Sequence, residues 1–85
     1  MKEIVYTITD PNGMHARPAG LFAKEAAKFS SKITLEADKG TVDAKGIFAL
    51  MGLGVKSGET IKIKIDGPDE TDAGITLSEF LKNNL

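Results

Sequence analysis

Residues 60–66 read TIKIKID, so that three isoleucines alternate with two lysines. A period of two is typical of a β-strand, because successive side chains point to opposite faces of a sheet. One face of this strand is apolar and the other is charged. The pattern therefore predicts a sheet that is covered on one face and meets water on the other.

Three more segments have strand patterns. Residues 3–9 alternate two sets of side chains, one with Ile4, Tyr6 and Ile8, and are rich in β-branched types. Residues 33–37 also alternate, and a turn at Asp38-Lys39-Gly40 leads to a short strand over residues 41–43. These segments supply the remaining three strands.

Three segments have helix patterns. Residues 16–29 repeat apolar side chains at intervals of three and four, which predicts an amphipathic helix. Residues 47–51 predict a short helix that is closed by the glycines of residues 52–54. The last helix follows Gly67-Pro68, with Asp69 or a neighbour as its cap, and it places on one face Ala73, Leu77, Phe80 and Leu81.

The element order is strand, helix, strand, strand, helix, strand, helix (βαββαβα). We predict the α+β class: an open-faced sandwich in which a four-stranded antiparallel sheet is covered on one side by three helices. With 85 residues, the chain has room for a single domain over residues 1–85.

Composition removes several kinds of site. The chain has no Cys and one His, which excludes disulfides, thiolate zinc sites and cysteine nucleophiles and leaves too few imidazoles for a His-rich metal cluster. We therefore expect no metal and no cofactor. A formal charge of −1 with a single Arg argues against nucleic acid as a partner.

The start of the chain has no long apolar run and no small-residue cleavage site. We expect a cytoplasmic protein that does not insert directly into a membrane.

The candidate chemistry lies at the start of the first helix. The only His and the only Arg of the chain stand two residues apart as His15 and Arg17, directly after the Asn12-Gly13 loop. A helix start presents unpaired N–H groups and the positive end of the helix dipole, and Pro18 falls in the first turn, where the loss of an N–H costs little. This location predicts an anion site. The alternative interpretation is a helix-capping His beside a solvated Arg.

A phosphoryl group on an imidazole nitrogen of His15 would lie within reach of the N–H groups of Ala16 and Arg17 and of the Arg17 guanidinium. The motif contains no Asp, Glu or Ser that could complete a triad with His15, so hydrolysis has no visible base. Other carboxylates stand beside turns, and we interpret them as turn and cap residues: Asp10, Asp43, Asp66 and Asp69.

Four segments together resemble the HPr family, the phosphocarriers of the phosphoenolpyruvate-dependent sugar phosphotransferase system: GMHARPA (13–19), KGI (45–47), LGV (53–55) and GPDE (67–70). The likeness spans essentially the whole chain. It implies that enzyme I, charged by phosphoenolpyruvate, phosphorylates His15 on Nδ1 and that the group then passes to sugar-specific enzyme IIA domains. Such a protein is a stoichiometric phosphoryl-transfer intermediate rather than a stand-alone enzyme, and we expect a monomer.

The expected partner surface lies beside His15 on the first two helices. Gly20 would let another backbone approach, and lysines at 24, 45 and 56 would rim an apolar patch. In the alternative interpretation, Ile47 and Leu50 are core residues and the lysines form a solvated face. The expected partner-binding residues are Ala16, Arg17, Gly20, Leu21, Lys24, Ile47, Phe48 and Met51.

One position departs from the family. Gram-positive members usually carry a regulatory serine at the start of the second helix, where this chain has Gly46, which cannot be phosphorylated. Two other functions remain open on the residues alone. One is a non-catalytic regulatory module that docks through Ile47, Phe48 and Met51, and the other is a small oxyanion-binding or hydrolytic enzyme.

Overall fold

The computed structural model describes residues 1–85, and its elements follow the predicted order. The four strands are β1 (Lys2–Thr7), β2 (Lys32–Ala37), β3 (Gly40–Asp43) and β4 (Thr60–Asp66). The three helices are α1 (Ala16–Ala27), α2 (Ile47–Leu53) and α3 (Glu70–Asn84).

The sheet is antiparallel throughout, in the order β1-β4-β2-β3. Strand β4 is central, and Ile63 pairs with Ile4 of β1 on one side and with Leu35 of β2 on the other. The isoleucines of β4 are fully buried, while Lys64 on the opposite face lies 2.5 Å from a carboxylate oxygen of Glu36. The predicted open-faced sandwich is confirmed.

All three helices contribute to one core on the covered face of the sheet. Phe22 of α1 packs edge to face against Phe80 of α3, with 5.6 Å between ring centroids. The short helix α2 contributes Leu50 and Leu53. No helix of the structure combines the length and the apolar character that crossing a membrane requires.

The predicted bounds differ at element ends. Strand β1 stops at Thr7, and Ile8 is buried in the loop that follows, where its carbonyl accepts the N–H of Gly58. Helix α1 stops at Ala27, and the N–H of Phe29 bonds to the carbonyl of Ala26 in a tightened last turn. Phe29 nevertheless packs against the core, which is why it fits the apolar pattern of the helix.

Asp69 occupies the N-cap position of α3, but its side chain makes no capping bond to that helix. Its carboxylate instead accepts the N–H groups of Ser30 and Ser31 at 2.8 and 3.0 Å, together with the hydroxyls of both serines. The close packing of Gly67 on Ser31 brings the two chain segments together. The expected capping role is therefore wrong for the side chain, which ties the end of α1 to the start of α3.

These donors, above all the Ser31 hydroxyl and then the Ser30 N–H, lower the pKa of Asp69 to about 2. A carboxyl whose pKa is depressed by folding stabilises the native state above its unfolded pKa, and this contribution is lost as the pH falls towards the folded value. We expect the urea midpoint of unfolding to fall between about pH 4 and pH 2.

In Asp69→Asn this part of the acid dependence should disappear, and the midpoint at pH 7 should be lower than that of the unsubstituted chain. Asp72→Asn, which changes the net charge equally on the first turn of α3, should keep the acid dependence. An Asp69→Asn variant with an unaltered pH profile would show that the serine contacts contribute nothing to stability.

Candidate functional site at the start of α1

A fixed loop carries the chain from β1 to α1. Thr9 and Asp10 donate their N–H groups to the backbone oxygen of Leu85, at 2.6 and 2.8 Å, and the N–H of Met14 donates to the carbonyl of Val55 at 2.9 Å. Gly13 has φ +66°, and a Cβ there would lie 2.8 Å from the backbone of Lys56, so only glycine fits.

Burial on both sides of His15 fixes its direction. Met14 is buried before it, and Pro18 and Ala19 are buried after it. His15 itself is exposed and extended at φ −85°, ψ −175°. It is the N-cap residue of α1, and its carbonyl accepts the N–H of Ala19, but its imidazole makes no capping bond or other intramolecular hydrogen bond. The interpretation of His15 as a capping side chain is therefore wrong.

The start of α1 keeps several donors free. The N–H groups of Ala16 and Arg17 have no acceptor within the chain, and Pro18 has no N–H group. Arg17 is exposed and forms no ion pair, and the first turn contains no acidic residue. Positive charge and unpaired donors thus directly follow His15 at the start of α1, which favours an anion at this position.

His15 opens onto a shallow depression of about 260 Å³. The depression is bordered by the start of α1, by the loop that carries Asp10 and by the last turn of α3. The lining residues are Asp10, His15, Arg17, Pro18, Leu21, Asn83 and Asn84. The sequence predicts a turn role for Asp10 and no role for the two asparagines, since only the packing of α3 against the loop brings them here.

The predicted apolar residues on α1 and α2 are exposed to different degrees. Phe48 is 82% exposed, whereas Leu21, Ile47 and Met51 are 42%, 36% and 39% exposed. Leu50 is buried, so the interpretation of Ile47 and Leu50 as core residues holds for Leu50 but not for Ile47. We call Leu21, Ile47, Phe48 and Met51 the apolar patch.

Two neighbouring residues make contacts within the chain. A Cβ at Gly20 would lie 3.1 Å from Cδ1 of Ile47, so the glycine lets α2 pack closely on α1. Lys45 is half-buried, and its Nζ donates to the carbonyl of Phe29 at 2.7 Å, which ties it to the end of α1. Lys24 and Lys56 are exposed and form no ion pair.

Gly46 is the N-cap residue of α2, with φ −102°. A Cβ there would meet its nearest atoms, Cβ of Ala49 and the carbonyl of Asp43, at an ordinary distance of 3.6 Å. The fold therefore leaves room for a side chain, and glycine is not required at this position. No cluster of three His, Asp or Glu side chains has the geometry to hold a metal ion.

An open-faced α+β sandwich with an unpaired imidazole at a donor-rich helix start has the features of a protein that carries a phosphoryl group. Residues 2–83 match the family described as the PTS HPr component phosphorylation site. The phosphocarrier protein HPr of Mycoplasma genitalium is 42% identical over 85 residues, which cover 99% of this chain and 97% of that protein.

Solved structures agree. HPr from Thermoanaerobacter tengcongensis superposes with a TM-score of 0.92 at 42% identity, covering 98% of this chain and 93% of the other. A dimer of HPr from the same organism superposes with a TM-score of 0.76 at 42% identity, with 98% and 95% coverage. The chain belongs to the HPr family, and it is a phosphocarrier of the phosphotransferase system.

Proposed function

We propose that the phosphoryl group is carried on His15. The observation that carries this proposal is an exposed imidazole without a hydrogen-bond partner at the start of α1, next to the unpaired N–H groups of Ala16 and Arg17. The lone pair of one ring nitrogen forms the P–N bond as the bond from phosphorus to the donor breaks, and the electrons of that bond leave with the donor. The proton on the other ring nitrogen stays in place. Onward transfer reverses these changes on the acceptor.

Ala16 and Arg17 bind the phosphoryl oxygens in this proposal. A charged hydrogen bond contributes about 1.5–3 kcal/mol and a helix terminus about 0.3–1 kcal/mol, so Arg17 is the stronger of the two influences. The guanidinium is not engaged by a carboxylate, and it can turn towards the phosphate without breaking an ion pair. No general base, metal or cofactor is needed on this chain, because the partners supply the remaining catalytic groups.

The partners proposed are enzyme I as donor and enzyme IIA domains as acceptors. Both must reach His15. Leu21 of the apolar patch lines the depression at His15, and Ile47 of the patch packs close to Gly20 of α1. An aromatic side chain as exposed as Phe48 is unusual outside a contact surface. Lys24 and Lys56 add positive charge that favours acidic partner surfaces.

The patch serves a phosphocarrier as well as it would serve a regulatory module, so it gives the latter no separate support. Although a related HPr occurs as a dimer, we propose a monomer, because a carrier must present His15 to two partners in turn. We place the protein in the cytoplasm, as the family resemblance implies.

Incubation with phosphoenolpyruvate and catalytic enzyme I should add one phosphoryl group per chain, measured by intact mass. Brief acid treatment should remove it, because the P–N bond of phosphohistidine is acid-labile. His15→Ala should gain no mass while remaining folded by circular dichroism. Since the chain has one His, phosphate that stays on His15→Ala would assign the site elsewhere.

Arg17→Ala should slow phosphoryl transfer from enzyme I by roughly 10- to 150-fold, which corresponds to the loss of one charged hydrogen bond. Arg17→Lys keeps the charge but not the guanidinium fork. Its transfer rate should lie between those of the unsubstituted chain and Arg17→Ala. Thermal unfolding should be nearly unchanged in both variants, since the exposed side chain has no intramolecular partner. Single-turnover quench kinetics provide the rates, and equal rates in all three proteins would remove Arg17 from the site.

Phe48→Ala should raise the KM for transfer from enzyme I by about five- to thirtyfold, as expected for a buried aromatic anchor of an interface. Ile75→Ala is the matched control, because Ile75 is also a large exposed apolar residue but lies on α3. It should leave the KM unchanged. Equal effects of the two substitutions would argue against docking through the apolar patch.

A further inference from the structure

The depression at His15 is lined by groups of opposite charge. The start of α1, where N–H groups are unpaired, contributes Arg17. The loop before α1 contributes Asp10, the only carboxylate side chain that lines the depression, and α3 contributes its last turn, where the helix dipole is negative. A site built only to hold phosphate would have no reason to include a negative charge.

Asp10 is held in place by its own loop. Its Oδ1 accepts the N–H of Asn12 at 2.8 Å, its N–H donates to the backbone oxygen of Leu85, and its carbonyl accepts the N–H of Gly13. The carboxylate forms no ion pair with Arg17 or any other cation. Asp10 therefore adds a fixed negative charge to the depression that Arg17 also lines.

The turn does not explain this charge. Asparagine forms the same side-chain turn as aspartate, because its carbonyl oxygen accepts the N–H two residues on. A neutral residue would therefore serve the loop equally well. The charge itself has no partner in the fold, which points to a role towards the group that occupies the depression.

We propose that Asp10 keeps the phosphoryl group of this carrier easy to release, by destabilising the phosphorylated state. The inference rests on the proposed phosphorylation of His15. Asp10 repels the negatively charged phosphoryl group after transfer and so opposes Arg17 and the N–H groups of α1. The balance of these opposing charges sets the transfer potential, so that phosphate is bound but not trapped.

The test uses the equilibrium phosphoenolpyruvate + carrier ⇌ pyruvate + phosphorylated carrier, reached with catalytic enzyme I and followed by intact mass. Asp10→Asn keeps the turn and removes the charge, whereas Asp10→Ala removes both. Asp38→Asn is the matched control, because Asp38 is an exposed turn carboxylate without an intramolecular partner and lies between β2 and β3.

At low ionic strength both Asp10 variants should shift the equilibrium towards the phosphorylated carrier, by roughly three- to tenfold. Asp38→Asn should match the unsubstituted chain. The shift should shrink as salt is added, because the site is open to solvent.

An unshifted Asp10→Asn, or a shift towards the unphosphorylated carrier, would overturn the proposal. A shift in Asp10→Ala alone would also overturn it, because it would assign the effect to the turn. These failures differ from a failure of the proposed function, in which the unsubstituted chain would not be phosphorylated on His15.

Discussion

The site depends on the close approach of Gly13 to the chain at Val55 and Lys56. The hydrogen bond from Met14 to Val55 is possible only because residue 13 has no Cβ and adopts a positive φ. Met14 is thereby committed to the core, and the next residue must point outward. His15 owes its exposure to this constraint, and the imidazole needs no hydrogen bond of its own to stay at the surface.

The same constraint places His15 where three chain segments meet. Helix α1 supplies unpaired donors, the loop supplies Asp10, and α3 closes the depression with its last turn. The contact of Leu85 with Thr9 and Asp10 keeps α3 and the loop together. A phosphoryl group bound there would be attracted by Arg17 and the unpaired N–H groups and repelled by Asp10, which suits a protein that must accept and release it.

The sequence predicts the helices and strands well because apolar residues on a buried face repeat with a period of two in a strand and of 3.6 in a helix. The clearest example is TIKIKID at residues 60–66. It predicts His15 and Arg17 because both lie in one short motif next to a helix start. It does not predict that Asp10 and Asn83 line the same depression as His15, since tertiary packing brings them together across more than 70 residues. The predicted capping role of Asp69 is wrong for a similar reason. Its carboxylate accepts N–H groups from two serines 38 and 39 residues away instead of N–H groups of its own helix.

Helix α2 shows how a small domain can expose apolar side chains at little cost to its stability. It has seven residues and no side-chain cap, too short to be stable on its own propensity. Leu50 and Leu53 anchor its inner face in the core, so the outer face is free to present Ile47, Phe48 and Met51. Since a side chain at position 46 would have room, the glycine there alters what can be modified at this helix without altering how the helix is held. A residue with a side chain at position 46 would therefore be compatible with the same packing of α2 and with the same exposed Ile47, Phe48 and Met51.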